Sequence, residues 1–177
     1  FADRSDILIK NIFGFLEDIK ISEGDMRLNL ENGIKLNSNF NSKIDLSDQV
    51  TKKYIDYFKK YDGVKGLRTL KADLNNNFSI EFDNTYKVKD YNYSINGKLQ
   101  KIKFELLSPI KNNFIFKEIK NIYFSDFRMK TSFKPNAFKI SGAGKYSFDE
   151  SNFLDINLEN NFNNEILNLK LDFDYIK

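Results

Sequence analysis

The stretch from Phe127 to Phe148 constrains this chain more than any other. Phe127, Met129, Thr131 and Phe133 alternate with Arg128, Lys130, Ser132 and Lys134. After Pro135-Asn136 the alternation resumes through Phe138, Ile140, Gly142, Gly144, Tyr146 and Phe148. Successive side chains of a strand leave opposite faces, so this period predicts strands with one wet face and one apolar face. With Pro135-Asn136 as a two-residue loop, Phe133 falls opposite Phe138 and Thr131 opposite Ile140. Met129 then meets Gly142 and Phe127 meets Gly144, all on the apolar face. Two large side chains thus cover two glycines across the ladder, an aromatic rescue.

The same texture runs through the rest of the chain. Residues 6–22 fit two periods. Ile7, Ile9, Phe13, Phe15, Ile19 and Ile21 alternate like strand residues, while Leu8, Ile12, Phe15, Leu16 and Ile19 make a helical stripe. Strand is favoured, because Gly14 weakens a helix by roughly 1 kcal/mol and the neighbouring segments read as strands. Glu23-Gly24 then reads as a two-residue turn that sets Ile21 opposite Met26 and Ile19 opposite Leu28. Glu31-Asn32-Gly33 reads as a three-residue loop with Gly33 at positive φ, setting Leu30 against Ile34 and Leu28 against Leu36. From there Ile34, Leu36, Ser38, Phe40, Ser42, Ile44 and Leu46 line one side of a long strand.

One helix is expected over 48–61. Val50, Tyr54, Tyr57, Phe58 and Tyr61 form its apolar stripe, Ser47 or Asp48 caps it, and Asp62-Gly63 ends it. It is expected to lie over one end of the sheet. Strand patterning returns with Leu70, Ala72, Leu74, Asn76, Phe78, Ile80 and Phe82. The loop Asp83-Asn84-Thr85 places Phe82 opposite Tyr86 and Ile80 opposite Val88. The apolar phase then slips toward Tyr91, Tyr93 and Ile95, which calls for a bulge near Lys89-Asp90. Asn96-Gly97 is either a hairpin turn or a glycine inside one long strand through Leu99, and Ile102, Phe104 and Leu106 carry on.

Residues 108–121, with Pro109, give no readable period. Ile122 and Phe124 lead into the central hairpin. After it, Glu150-Ser151-Asn152 sets Phe148 opposite Leu154 and Tyr146 opposite Ile156. A loop at 161–164 pairs Leu158 with Leu167, Ile156 with Leu169 and Leu154 with Leu171, and Phe173 and Tyr175 finish the row. The expected fold is all-β with one short helix. It is a single segment over 1–177, a meander of about nine to eleven long antiparallel strands curled into an open groove with one apolar face. The segment is expected to belong to a longer chain, since it opens on Phe1 and strand patterning runs nearly to Lys177.

Composition narrows the chemistry. With His 0 and Cys 0, the commonest general base and both soft metal ligands are missing, and no disulfide framework is available. There is no Gly-rich phosphate loop, no nucleophile elbow and no zinc spacing. Carboxylates such as Asp172 and Asp174 alternate with Leu171 and Phe173, which puts them on a solvated face rather than in a cleft. An enzyme is therefore not expected, and neither a cofactor nor a metal is. Net charge is only +3, from 28 basic and 25 acidic residues spread along the wet faces, so a nucleic-acid partner is not expected either. No run of about 18 apolar residues appears, so this stretch holds no transmembrane helix.

What remains is shape. The lining of the expected groove is Leu36, Phe40, Ile44, Leu70, Leu74, Phe78, Ile80, Phe82, Phe127, Met129, Phe133, Phe138, Ile140, Tyr146, Phe148, Leu154, Ile156, Leu158, Leu169, Leu171 and Phe173. A wide apolar face with one helix as lid marks a binding surface. Phospholipid or another acyl-chain lipid is its natural guest, since each buried CH₂ is worth about 0.8 kcal/mol. The main alternative is a self-contained β-sandwich or barrel, a structural or binding module with a dry core. An outer-membrane barrel is disfavoured because the loops are uniformly short.

The run Tyr-Asn-Tyr-Ser-Ile-Asn-Gly-Lys-Leu at 91–99, and Ile-Ser-Gly-Ala-Gly-Lys-Tyr-Ser-Phe at 140–148, resemble the strand-Gly-Lys-strand units of the AsmA-like family. Ile-Ser-Glu-Gly-Asp-Met-Arg-Leu-Asn-Leu at 21–30 has the same texture. The family is of the TamB/YhdP type and is similar to the bridge-like lipid transfer proteins. The resemblance implies a non-enzymatic β-groove in the periplasm of a Gram-negative cell envelope. Such a groove moves phospholipid between inner and outer membrane, and parts of the protein beyond this stretch anchor it to the inner membrane. The Lys-rich, Asn-rich composition departs from better-known members.

Overall fold

The computed structural model describes residues 5–31, 33–55, 65–111, 118–163 and 166–174. Among them the chain forms β1 (Asp6–Leu16), β2 (Ile19–Asn29), β3 (Ile34–Leu46), α1 (Asp48–Ile55), β4 (Leu67–Phe82), β5 (Val88–Ile110), β6 (Ile119–Lys134), β7 (Ala137–Ser147), β8 (Leu154–Asn163) and β9 (Ile166–Phe173). The nine strands make one sheet in the order β1 to β9, each antiparallel to the next. The sheet is not closed into a barrel, and it carries one small helix. The sandwich or barrel considered above is therefore not the architecture.

A single sheet leaves one side without a second layer, and the surface area says so. The chain exposes 12662 Å², against roughly 9,000 Å² for a compact monomer of this mass. Among the described residues the buried apolar side chains are few: Leu46, Ala72, Phe127, Tyr146 and Ile156. Phe127, Tyr146 and Ile156 form one cluster with Leu99, Phe124, Met129, Leu154 and Leu158 around them.

The central hairpin has the expected register, with Phe133 opposite Phe138, Thr131 opposite Ile140 and Met129 opposite Gly142. Gly33 takes φ 101°, and Leu28 pairs with Leu36. The extra residue near Lys89 is present: Phe82 pairs with Val88 but Glu81 with Asp90, so one bulge restores Tyr91 and Tyr93 to the apolar side. Asn96-Gly97 lies inside β5, paired with Asn75 and Leu74, and is not a turn.

Several registers differ from expectation. The first hairpin turns at Glu17-Asp18, with Leu16 opposite Ile19, and β2 runs straight through Glu23-Gly24. There the pair forms a bulge, with Glu23 at φ 53° and the β2–β3 register shifting between Ser22 and Asp25. A bulge absorbs an unpaired residue by bending the strand, so a Glu-Gly pair serves it as readily as a turn. Ile21 consequently faces Ser42 and Gly14, not Met26.

The connection after β4 is longer than three residues, because the Asp83 carboxylate gathers the N–H groups of Thr85 and Lys87 at 2.7 and 3.1 Å. Ile80 therefore pairs with Tyr91, not Val88, and Phe82 with Val88, not Tyr86. The loop after β7 does the same around Asp149. Its carboxylate accepts from the N–H groups of Ser151 and Asn152, both at 3.0 Å, and from the Ser147 hydroxyl at 2.9 Å. Tyr146 thereby pairs with Leu154 and Gly144 with Ile156, two residues from the expected register. At the last hairpin Asn161, Phe162 and Asn163 stay in β8, so Leu158 meets Leu171 and Ile156 meets Phe173. The two-residue shifts at Phe82 and after β7 and the four-residue shift at the last hairpin keep β8 and β9 on their expected faces. The register shifts in β1, by contrast, turn Phe13 and Phe15 off the apolar face expected for them.

The helix begins at Asp48 as expected and is described through Ile55; the remainder of the predicted helix, with Tyr57, Phe58 and Tyr61, lies outside the described residues, as does Tyr175. Its first turn is closed by the Thr51 N–H and hydroxyl donating to the Ser47 carbonyl at 2.8 and 2.7 Å. Thr51 is buried where α1 rests on β4 and the end of β3.

Candidate functional site

Because the registers are continuous, side chains of the apolar face fall into rows that cross the strands. The first row is aromatic. Phe78, Tyr93, Phe133, Phe138 and Phe162 are consecutive cross-strand partners from β4 to β8. Tyr93 and Phe133 have ring centroids 6.3 Å apart, Phe133 and Phe138 6.4 Å, and Phe138 and Phe162 5.4 Å with planes 14° from parallel. Offset stacks of this kind add about 0.5–1.5 kcal/mol per pair beyond area burial. Phe40 meets Phe78 edge-on at 6.4 Å and extends the row toward β3.

The next row is interrupted by polar side chains on alternate strands: Asn76 on β4, Thr131 on β6 and Asn160 on β8, with Phe40, Ile95, Ile140 and Leu169 between and beside them. Asn76 is 3% exposed, and its amide is satisfied inside the sheet. The Asn76 Nδ2 donates to Ser42 Oγ at 3.0 Å, and the Tyr93 hydroxyl donates to Asn76 Oδ1 at 2.9 Å. Burial raises the Tyr93 pKa above its ordinary value, so the phenol stays protonated as this donor. The Asn160 Oδ1 is buried and accepts no hydrogen bond among the described residues.

Past this seam the face becomes a concave surface of mixed aliphatic and aromatic side chains. Leu99 and Ile102 of β5, Ile122, Phe124, Phe127 and Met129 of β6, Ile140 and Tyr146 of β7, Ile156 and Leu158 of β8, Leu171 and Phe173 of β9, and Phe148 enclose a hollow of about 440 Å³. Glycines give it depth. A side chain at Gly142 or Gly144 would collide with the Phe127 ring or backbone. Phe127 therefore lies flat over both glycines, so it covers Gly142 as well as the Gly144 expected for it. The one polar atom on this wall is turned aside: the Tyr146 hydroxyl donates to the Asp174 carbonyl at 2.6 Å.

The predicted lining residues fall as follows. Phe127, Met129, Ile140, Tyr146, Phe148, Ile156, Leu158, Leu171 and Phe173 line the hollow, with Leu154 packed behind it. Phe133 and Phe138 belong to the aromatic row with Phe78. Leu36, Phe40, Ile44, Leu70, Leu74, Ile80 and Phe82 lie on the same face along the β3–β4 pair and do not line the hollow, although Leu70 borders it as the cross-strand partner of Ile102. Leu169 is on that face too but is 62% exposed. The hollow also takes Leu99, Ile102, Ile122 and Phe124, which the expected lining omits. The signal for them was present: Leu99 to Ile102 and Phe124 to Phe127 are three-residue steps, where alternation gives two. Both mark bulges at one level, since Gln100 and Asp126 are the unpaired residues and Asp126 has φ 53°.

The opposite face is solvated and ion-paired across strands. Lys71 meets Asp45 at 3.0 Å, Lys89 meets Glu81 at 2.6 Å, Lys98 meets Asp126 at 2.5 Å and Lys145 meets Asp155 at 3.3 Å. Hydrogen bonding and the charge of the partner lysine hold the Glu81 and Asp126 carboxyls below their ordinary pKa. Among the described residues no group of three or more His, Cys, Asp or Glu side chains is placed to hold a metal ion. No known family model, curated protein or solved structure matches this chain.

Proposed function

We propose that the apolar face binds the acyl chains of phospholipid, or of another acyl-chain lipid, and shields them from water without chemistry. The observation that carries this reading is the hollow of about 440 Å³ walled by apolar side chains of five adjacent strands, β5 to β9, and left open along the sheet. An apolar wall whose Tyr146 hydroxyl is already bonded to the Asp174 carbonyl favours a guest recognised by length and apolarity, and each CH₂ taken up contributes about 0.8 kcal/mol. The open edge suits a long guest that lies across strands rather than one enclosed in a cavity. The resemblance to the AsmA-like family extends the proposal to lipid transfer between the membranes of a bacterial envelope, in the periplasm.

The experiment is photo-crosslinking with radiolabelled phospholipid. A benzophenone amino acid at Phe138 or Ile140 should capture lipid, and the same group at Lys139 should not, since neighbouring side chains leave opposite faces. Ile140→Glu should abolish capture from Phe138, because a carboxylate on this wall has no partner. Equal labelling at positions 138, 139 and 140, or none in folded protein, would sink the reading.

A further inference from the structure

The polar side chains that interrupt the apolar face stand at one level, each two strands from the next: Asn76 on β4, Thr131 on β6 and Asn160 on β8. With neighbouring strands about 4.8 Å apart, they are spaced by roughly 10 Å. Asn76 and Thr131 are committed to the sheet. The Asn76 amide donates to Ser42 and accepts from the Tyr93 hydroxyl. The Thr131 hydroxyl donates to the Ile95 carbonyl at 3.5 Å. Asn160 differs. Its Oδ1 is buried with no donor, and its amide makes no hydrogen bond among the described residues. A buried acceptor left unpaired carries the whole desolvation cost of the group, so it calls for an explanation.

Its position supplies one. Asn160 lies across from Ile140 on one side and Leu169 on the other. Ile140 lines the hollow, and so does Leu158, two residues along the same face of β8. The uncommitted amide therefore stands at the rim of the hollow. The residue as a whole is only part-buried, and the terminal torsion of an Asn is soft, so its oxygen can turn toward a guest. An acceptor selects a donor. Ester oxygens and an ionised phosphodiester have none to offer, whereas a hydroxyl does. We infer that Asn160 is a specificity-determining residue, and that the trough prefers lipids with a free hydroxyl beside the acyl ester, such as lysophospholipids, over fully acylated ones. The chain lies in the hollow, and the hydroxyl donates to Asn160 Oδ1. This inference rests on the acyl-chain reading above and narrows it.

The test is equilibrium dialysis of the chain against radiolabelled palmitoyl lysophosphatidylcholine, kept below its micelle concentration. The comparison ligand is the same lipid with its free glycerol hydroxyl converted to a methyl ether, which removes the donor and keeps the chain. The parent should bind the hydroxyl form about five- to ten-fold tighter, the share of one net hydrogen bond. Asn160→Leu should bind the two alike, whereas Asn161→Leu, on the wet face opposite Lys139, should keep the preference. Asn160→Leu should also melt no lower than the parent, because it removes an unpaired buried acceptor. A parent indifferent to the methyl ether overturns the inference and leaves the acyl-chain reading standing. So does a preference that survives Asn160→Leu, or an Asn160→Leu variant that melts well below the parent, which would show the amide serving the sheet. Folded parent that binds neither lipid overturns both.

Discussion

The β5–β8 part of the sheet and the β1–β2 hairpin start from similar alternation and end differently. In β5–β8 a bulge in β5 and a bulge in β6 fall opposite each other, so both strands change phase together and large residues stay on the apolar side. Phe127 and Tyr146 are 6% and 4% exposed there. In β1 the bulge at Asn11 hands the apolar side to Ile12, Gly14 and Leu16, and it turns Phe13 and Phe15 onto the polar face. Those two rings are 79% and 76% exposed, with the Lys20 ammonium 6.0 Å from the Phe15 centroid. The comparison teaches that apolar content does not decide which aromatics become core. The position of the bulge decides it, and a facing glycine decides whether a ring can lie down.

The largest effect should come from removing the ring that lies on two glycines. Phe127→Ala should destabilise by about 3–5 kcal/mol, as truncation of a buried aromatic does, while Phe13→Ala or Phe15→Ala should stay within about 0.5 kcal/mol. Urea midpoints would show it, and equal losses at the three positions would erase the distinction between the regions.

Glycine substitutions sharpen the same contrast at smaller amplitude. Gly142→Ala thrusts a methyl into the Phe127 ring and the Arg128 carbonyl, whereas an added Cβ at Gly14 meets nothing within 4 Å. Overpacking should cost roughly 1–3 kcal/mol at Gly142, and Gly14→Ala should be neutral or gain up to about 1 kcal/mol by restricting the unfolded chain.

The smallest effect concerns the loop that sets the β7–β8 register. Hydrogen bonds from the N–H groups of Asn152 and Ser151, then from the Asn152 and Ser147 side chains, hold the Asp149 carboxyl well below the usual carboxylate range. A depressed folded pKa means this stabilisation is complete above the unfolded value near 3.9 and fades as pH falls below it. Asp149→Asn should therefore melt below the parent at neutral pH, and the gap should narrow as pH drops under about 4. A gap that is constant with pH would mean the carboxylate's charge is not what orders the loop.

The amino-acid order by itself determined that this is an all-β meander with one apolar face, because alternation is a local property and each strand displays it unaided. It also set the register at Pro135-Asn136, where a two-residue loop leaves no slack, and the need for a bulge near Lys89. Tertiary structure decided the rest. The Asp83 and Asp149 carboxylates lengthen their loops by gathering backbone N–H groups, and Phe162 joins β8 because its ring stacks on Phe138, although its Asn neighbours suggest a turn. The residues of the hollow depended on bulges in two strands falling at one level, a relation between partners far apart in sequence. Whether the sheet closes also depended on the summed twist and curl of nine strands, and no local period records that sum.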